Sequence, residues 1–117
     1  MGTRGFVVIK YHNKYYKIYH QYDSYPSHLG KKVINIILRL KEGNRLTQNV
    51  DCVHEIIDCF NDDVKVEDND QDLDLFIEWV YTIDLDEMTI EIKGGDKYVP
   101  EYDIFNVDYE WLRQFKD

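Results

Sequence analysis

The chain has 117 residues, a hydrophobic fraction of 44% and a formal net charge of −9. This composition excludes an intrinsically disordered chain and predicts one globular domain spanning residues 1–117. No apolar run approaches the roughly 18 residues that a membrane span requires, and no signal-peptide core begins the sequence. We therefore expect an intracellular, cytoplasmic protein that is neither membrane-bound nor secreted.

The first third of the chain predicts a β-hairpin followed by a turn. Residues 5–22 are rich in β-branched and aromatic side chains, apart from a short polar break at 12–14 that suits a turn. Pro26 fixes its own φ angle and disfavours helix at Tyr25. We therefore expect the chain to change direction within residues 23–27.

Two amphipathic helices are predicted in the middle of the chain. Within residues 28–41 apolar side chains recur at helical spacing, and Gly43 is a natural C-terminal cap. A second helix is expected to begin at the cap residue Thr47 and to continue to about Phe60. The acidic residues 61–74 are expected to form a solvated connection.

Alternating apolar residues in the last third predict a second hairpin. Residues 75–83 place Trp79 on an inward face, and residues 88–92 form the partner strand. A short helix is expected over 107–115, with Tyr109 packed inward. The order of elements predicts an α+β fold, in which the two hairpins form an antiparallel sheet and two central helices pack on one face.

Charge is distributed unevenly along the sequence. Residues 1–50 hold nine basic and two acidic residues, a net charge of +7, whereas residues 51–117 hold five basic and twenty-one acidic residues, a net charge of −16. This asymmetry indicates either an anion-binding face in the first half or mutual neutralisation when the halves pack together. The acidic excess argues against non-specific binding to duplex nucleic acid.

The cysteines and histidines carry no metal-site signature. Cys52 and Cys59 are seven residues apart on the second predicted helix, which separates them by about 10.5 Å and excludes a disulfide between them. We expect both to be buried free thiols. His12, His20 and His28 recur every eight residues, without the compact spacing of a zinc site, so we expect no metal and no cofactor.

The predicted turn contains the three residue types of a hydrolase triad, namely His20, Asp23 and Ser24. Adjacent Asp23 and Ser24 would normally point apart, and no nucleophile-elbow motif surrounds Ser24. The structural alternative is that both side chains hydrogen-bond the turn and cap the following helix. The sequence leaves open whether the protein is an enzyme, and we assign no catalytic residue.

Residues 24–32 also suit an anion site. They bring hydroxyls, Gly30 and two lysines to a predicted helix N-terminus, where free N–H groups and the helix dipole favour negative charge. In the preceding hairpin, tyrosines are interleaved with Lys10, Lys14 and Lys17, as in proteins that bind nucleotides or single strands. A sheet face whose tyrosines pack beneath helices explains the same pattern.

Two blocks of the sequence resemble a protein family of giant DNA viruses of the mimivirus kind, which also occurs in fungi and some bacteria. The first block combines residues 1–5 (MGTRG), the tyrosine-rich hairpin and residues 20–30 (HQYDSYPSHLG); the second is residues 79–86 (WVYTIDLD). The absence of alanine suits an AT-rich viral genome. The resemblance implies that the Asp-Ser-Tyr-Pro turn and Gly30 matter to the fold or its site, and it implies no activity.

We therefore expect a small non-catalytic binding protein of a large DNA virus, acting in the host cytoplasm or the viral factory. Its basic, tyrosine-rich first half is expected to engage a protein partner or an anionic ligand. The alternatives are a hydrolase that uses Ser24, His20 and Asp23, and a binder of nucleotides or single-stranded nucleic acid. The candidate binding residues are Arg4, Tyr19, His20, Asp23, Ser24, Tyr25, His28, Gly30 and Lys31.

Overall fold

The computed structural model describes residues 3–60, 63–68, 77–94 and 97–115. These residues form a sheet with helices packed against it. The strands are β1 (Gly5–Tyr11), β2 (Lys14–His20), β3 (Val64–Glu67), β4 (Trp79–Asp84), β5 (Thr89–Gly94) and β6 (Lys97–Asp103). The helices are α1 (Lys31–Glu42), α2 (Val50–Ile57) and α3 (Tyr109–Leu112), with a π-helical turn at Pro26–Gly30 and a 3₁₀ turn at Ile104–Asn106.

The sheet is mixed, with the strand order β3-β2-β1-β4-β5-β6. Strand β1 pairs antiparallel with β2 and parallel with β4, so that Val7 lies opposite both Ile18 and Tyr81. The α+β class is confirmed, but the prediction of a wholly antiparallel sheet is wrong. The two hairpins meet along β1 and β4, whose parallel pairing runs from Gly5 opposite Trp79 to Lys10 opposite Asp84.

The sequence prediction misses both edge strands. Strand β3 lies within the acidic residues 61–74, where we expected a solvated connection, and its Val64 pairs with Ile18 of β2. Strand β6 follows β5 as a further antiparallel neighbour. Residues 69–76 lie outside the described residues, and with them the first two residues of the strand expected over 75–83. Within the described part of that segment, strand β4 begins at Trp79.

The hydrophobic core lies between the helices and one face of the sheet. Alternate residues of the four central strands enter it and are at most 1% exposed: Val7, Ile9, Ile18, Tyr81, Ile83, Ile90 and Ile92. They form one cluster with the buried residues of α1 and α2, among them Ile37 and Ile56. Burial of this apolar surface is the main driving force for the fold.

Trp79 is buried in a central strand, as the alternation predicts. Its side chain is 8% exposed, and its ring stacks against that of Tyr81 with 6.4 Å between centroids. Gly94 lies opposite it on β5, and a Cβ at that position would lie 2.1 Å from the indole. Only a glycine at this position leaves room for the ring.

Two helix details differ from the predictions. The N-cap of α2 is Asn49, whose side chain accepts a hydrogen bond from the N–H of Asp51 at 2.9 Å, and it lies two residues beyond the predicted cap Thr47. In α3, Leu112 is buried but Tyr109 is 44% exposed, so the expectation that Tyr109 packs inward is wrong. A helix of four residues directs a single narrow face to the core, and Leu112 occupies it.

Both cysteines are free, but their environments differ. Cys52 is buried, and the loss of hydration raises the pKa of its thiol. Cys59 is exposed beyond the end of α2, contrary to our expectation of a buried thiol. Among the described residues, no group of three or more His, Cys, Asp or Glu side chains is placed to hold a metal ion. No described helix has both the length and the apolar character needed to cross a membrane.

Candidate functional site

The turn between β2 and α1 is built around a buried serine. Ser24 is 0% exposed, and its N–H donates to the carbonyl of Thr3 at 3.1 Å. Its carbonyl accepts a hydrogen bond from the Tyr81 hydroxyl at 2.7 Å. A Cβ at Gly5 would lie 2.7 Å from the Cβ of Ser24, so the glycine permits this close approach. These contacts hold the turn against β1 and β4.

The Ser24 hydroxyl hydrogen-bonds the turn, as the structural interpretation predicts, but the side chains of Asp23 and Ser24 do not cap the following helix. The Ser24 hydroxyl donates to the main-chain carbonyl of His20 at 3.1 Å, and no described side chain caps the π-helical turn. Asp23 is exposed, with a φ of 55°. The Ser24 hydroxyl is fully buried and directed at a main-chain carbonyl, so the geometry does not support Ser24 as a nucleophile.

A groove of about 930 Å³ is lined by the π-helical turn, the beginning of α1 and the region of α3. We call it the basic groove. Its apolar lining is formed by Pro26, Leu112 and Phe115. Its polar and cationic lining is formed by Ser27, Lys31, Lys32, Asn35, Tyr109 and Arg113. The groove thus combines an apolar floor with a rim of positive charge.

Two of the cations on the rim have no carboxylate partner in the part of the chain that the structure describes. Lys31 and Lys32 are exposed, and no carboxylate of the described residues lies within ion-pair distance of either amino group. The Lys32 ammonium lies 4.5 Å from the centroid of the Phe60 ring. Arg113 pairs with Glu110 at 3.2 Å, and because both side chains are more than three-quarters exposed this pair is weak. Counted over the described lining residues, the rim therefore carries net positive charge.

Tyr109 places a hydroxyl group at the edge of the basic groove. Its ring is 44% exposed, and its hydroxyl donates to Oδ1 of Asn35 on α1 at 3.2 Å. This hydrogen bond joins α3 to α1, and the two residues that form it are 74 positions apart in the sequence. Tyr109 and Arg113 belong to the site, and sequence reasoning missed both because no local pattern relates α3 to α1.

The lysines of the N-terminal hairpin are neutralised, in contrast to those of the basic groove. Each pairs with a carboxylate from the acidic half of the chain: Lys10 with Asp84 at 3.8 Å, Lys14 with Asp68 at 2.5 Å, and Lys17 with Glu67 at 2.8 Å. The Asp84 carboxylate raises the pKa of the Lys10 amine. Mutual neutralisation, one of the two interpretations of the charge asymmetry, therefore applies to the hairpin.

A second depression, of about 560 Å³, adjoins the turn. It is lined by His20, Gln21, Tyr22, Asp23, His28, Leu29 and Lys32. Three of the predicted binding residues, His20, Asp23 and His28, are thus brought together here. Since Lys32 lines both cavities, the two surfaces are adjacent.

The other predicted residues have different positions. Lys31 lines the basic groove, whereas Gly30 is buried beneath it, where a Cβ would lie 3.2 Å from Leu112. Arg4, Tyr19 and Tyr25 line neither cavity. The carbonyl of Arg4 accepts the N–H of Glu78 at 2.9 Å. The ring of Tyr19 packs against Phe6 with 5.5 Å between centroids, and that of Tyr25 lies 6.3 Å from the His28 ring.

The comparisons with other proteins add no constraint on this site. No protein-family model, curated protein or solved structure matches the chain. The resemblance to a family of giant DNA viruses and fungi stays a prediction.

Proposed function

We propose that this protein is a non-catalytic binding protein that engages an anionic partner at the basic groove. The observation that carries the proposal is the pair Lys31 and Lys32, two exposed ammonium groups without a carboxylate partner among the described residues. On a chain of net charge −9, such a local excess of positive charge selects for anions.

The alternatives have weaker support. A hydrolase requires a nucleophile that reaches a base, and the hydroxyl of Ser24 instead donates to a main-chain carbonyl in a fully buried site. A nucleic-acid binder that uses the hairpin requires lysines free to contact phosphate, whereas Lys10 and Lys17 are ion-paired.

A protein partner fits the composition of the groove. Interfaces between proteins are enriched in Tyr and Arg, and Tyr109 and Arg113 line the groove beside an apolar floor. From the sequence resemblance we add the proposal that the protein belongs to a large DNA virus and acts in the host cytoplasm.

Titration of the ¹⁵N-labelled protein with poly-L-glutamate tests the proposed function. We expect chemical-shift changes in α1 and α3 that weaken as salt is added, because the contacts are exposed and ionic. The variant Lys31→Glu/Lys32→Glu should bind at least about tenfold more weakly, a difference of about 1.4 kcal/mol.

The matched control is Lys65→Glu/Lys93→Glu, which makes the same change in net charge at exposed positions on β3 and β5. This control should retain most of the binding. Equal losses in the two double variants would show that net charge, and not the basic groove, governs binding. An absence of binding to poly-L-glutamate, inorganic phosphate and oligodeoxythymidine alike would contradict the proposed function.

A further inference from the structure

The cations of the basic groove are arranged for an extended ligand. Pockets for small molecules enclose the ligand and direct a few fixed polar groups at it. Here Lys31 and Lys32 at the beginning of α1 and Arg113 at the end of α3 are exposed side chains. Such groups suit several negative charges spaced along a chain better than they suit one compact anion.

The exposed side chain of Tyr109 favours an apolar group in the same ligand. Leu112 and Phe115 line the groove but are only 4% and 5% exposed, so the main apolar surface open to a ligand is that of Tyr109, which is 44% exposed. A ligand with charged groups alone would leave this surface in contact with water, whereas an apolar side chain would remove it from water and gain the corresponding transfer free energy. The ring of Tyr109 is well suited to contact such a side chain, because tyrosine offers a large contact area with few rotatable bonds.

Acidic residues near the groove disfavour a continuous polyanion. Glu110 lies 3.2 Å from Arg113, and Asp108 caps α3 by accepting the N–H of Trp111 at 2.8 Å. A nucleic acid carries a negative charge on every phosphate and would be repelled by these carboxylates. A peptide can place an acidic side chain opposite each lysine and a neutral residue opposite Glu110.

We infer that the ligand of the basic groove is an acidic peptide segment with one apolar anchor side chain, seated against the exposed ring of Tyr109 with its carboxylates paired to Lys31 and Lys32. This inference rests on the proposed function, since it specifies the partner of the same groove. It commits to a linear segment of a partner protein and not to a nucleic acid or a free phosphate.

Fluorescence anisotropy with three labelled probes tests the inference. The probes are a glutamate-rich peptide with one central leucine, the same peptide with serine in its place, and an oligodeoxythymidine of equal charge. The leucine peptide should bind at least about tenfold more tightly than the serine peptide, given the transfer free energy of a buried leucine. It should also bind more tightly than the oligonucleotide.

Variants at Tyr109 locate the anchor. Tyr109→Ala should remove most of the advantage of the leucine peptide over the serine peptide. Tyr109→Phe keeps the ring and should keep that advantage. Tyr109 is exposed, so neither substitution opens a cavity in the core.

The outcomes separate this inference from the proposed function. One outcome is that the leucine and serine peptides bind equally tightly and both lose binding in Lys31→Glu/Lys32→Glu. That result would overturn the apolar anchor but support an anion-binding groove. Tighter binding of the oligonucleotide at the same residues would overturn the peptide and identify nucleic acid as the ligand class. An advantage of the leucine peptide that survives Tyr109→Ala would also overturn the assigned position. If none of the three probes binds, both the proposed function and this inference are contradicted.

Discussion

The substitution Tyr81→Phe tests whether the turn at Ser24 is a structural junction. It removes one hydroxyl and preserves the aromatic ring, which is fully buried in the central strand β4. The Ser24 carbonyl then loses the donor that lies 2.7 Å away in the native protein. No new atom is introduced, so the measured change reports the loss of hydrogen bonding at this hydroxyl.

The magnitude follows from the burial of both partners. An exposed hydrogen bond contributes little because water replaces it, but a buried acceptor that loses its donor costs about 1–3 kcal/mol. For a domain of this length, 1 kcal/mol corresponds to a shift in Tm of about 4 °C. We therefore expect Tyr81→Phe to lower the free energy of unfolding by about 1–3 kcal/mol and Tm by about 4–12 °C.

Urea denaturation followed by tryptophan fluorescence and thermal unfolding followed by circular dichroism measure these quantities. Tyr109→Phe is the matched control, because it removes the same hydroxyl from an exposed hydrogen bond to Asn35. Its effect should stay within about 0.5 kcal/mol, as is usual for surface substitutions. If the two variants lose the same stability, the Ser24 carbonyl is not a buried acceptor and the junction described here is wrong.

Two further predictions concern the core and the thiols. Trp79→Ala should lower the free energy of unfolding by about 3–5 kcal/mol, because it empties a buried site opposite Gly94. A loss below about 1 kcal/mol in urea denaturation would place the indole at the surface. At pH 8 a maleimide should label Cys59 within minutes and Cys52 only after unfolding, since Cys52 is buried and its thiol pKa is raised. Equal labelling rates, measured by mass spectrometry, would contradict this difference.

The candidate site could be predicted from the sequence only in part. The Lys31–Lys32 pair stands out because it follows a proline-containing turn and begins a helix with a clear apolar stripe. His20, Asp23 and His28 are close in sequence, and the structure places them around one depression. The hydrolase alternative depended on side-chain directions that proximity in sequence does not determine.

Local patterns in the sequence determined the α+β class, the N-terminal hairpin, α1 and the burial of Trp79. Each depends on interactions within a few residues: alternation for strands, helical spacing for α1, and turn chemistry between them. Strand β3 was missed because four residues within an acidic stretch give too short a pattern, and pairing with β2 supplies the stability that local propensity lacks.

Only the tertiary structure decided the parallel pairing of β1 with β4, the neutralisation of the hairpin lysines and the composition of the basic groove. Each joins segments that are distant in sequence, as Tyr109 and Asn35 are at 74 positions apart. Such contacts depend on which surfaces pack together when the whole core forms, and periodicity along the chain carries no information about them. The charge asymmetry was visible in the sequence, but the position of Asp84 beside Lys10 and the absence of a described carboxylate beside Lys31 result from the fold.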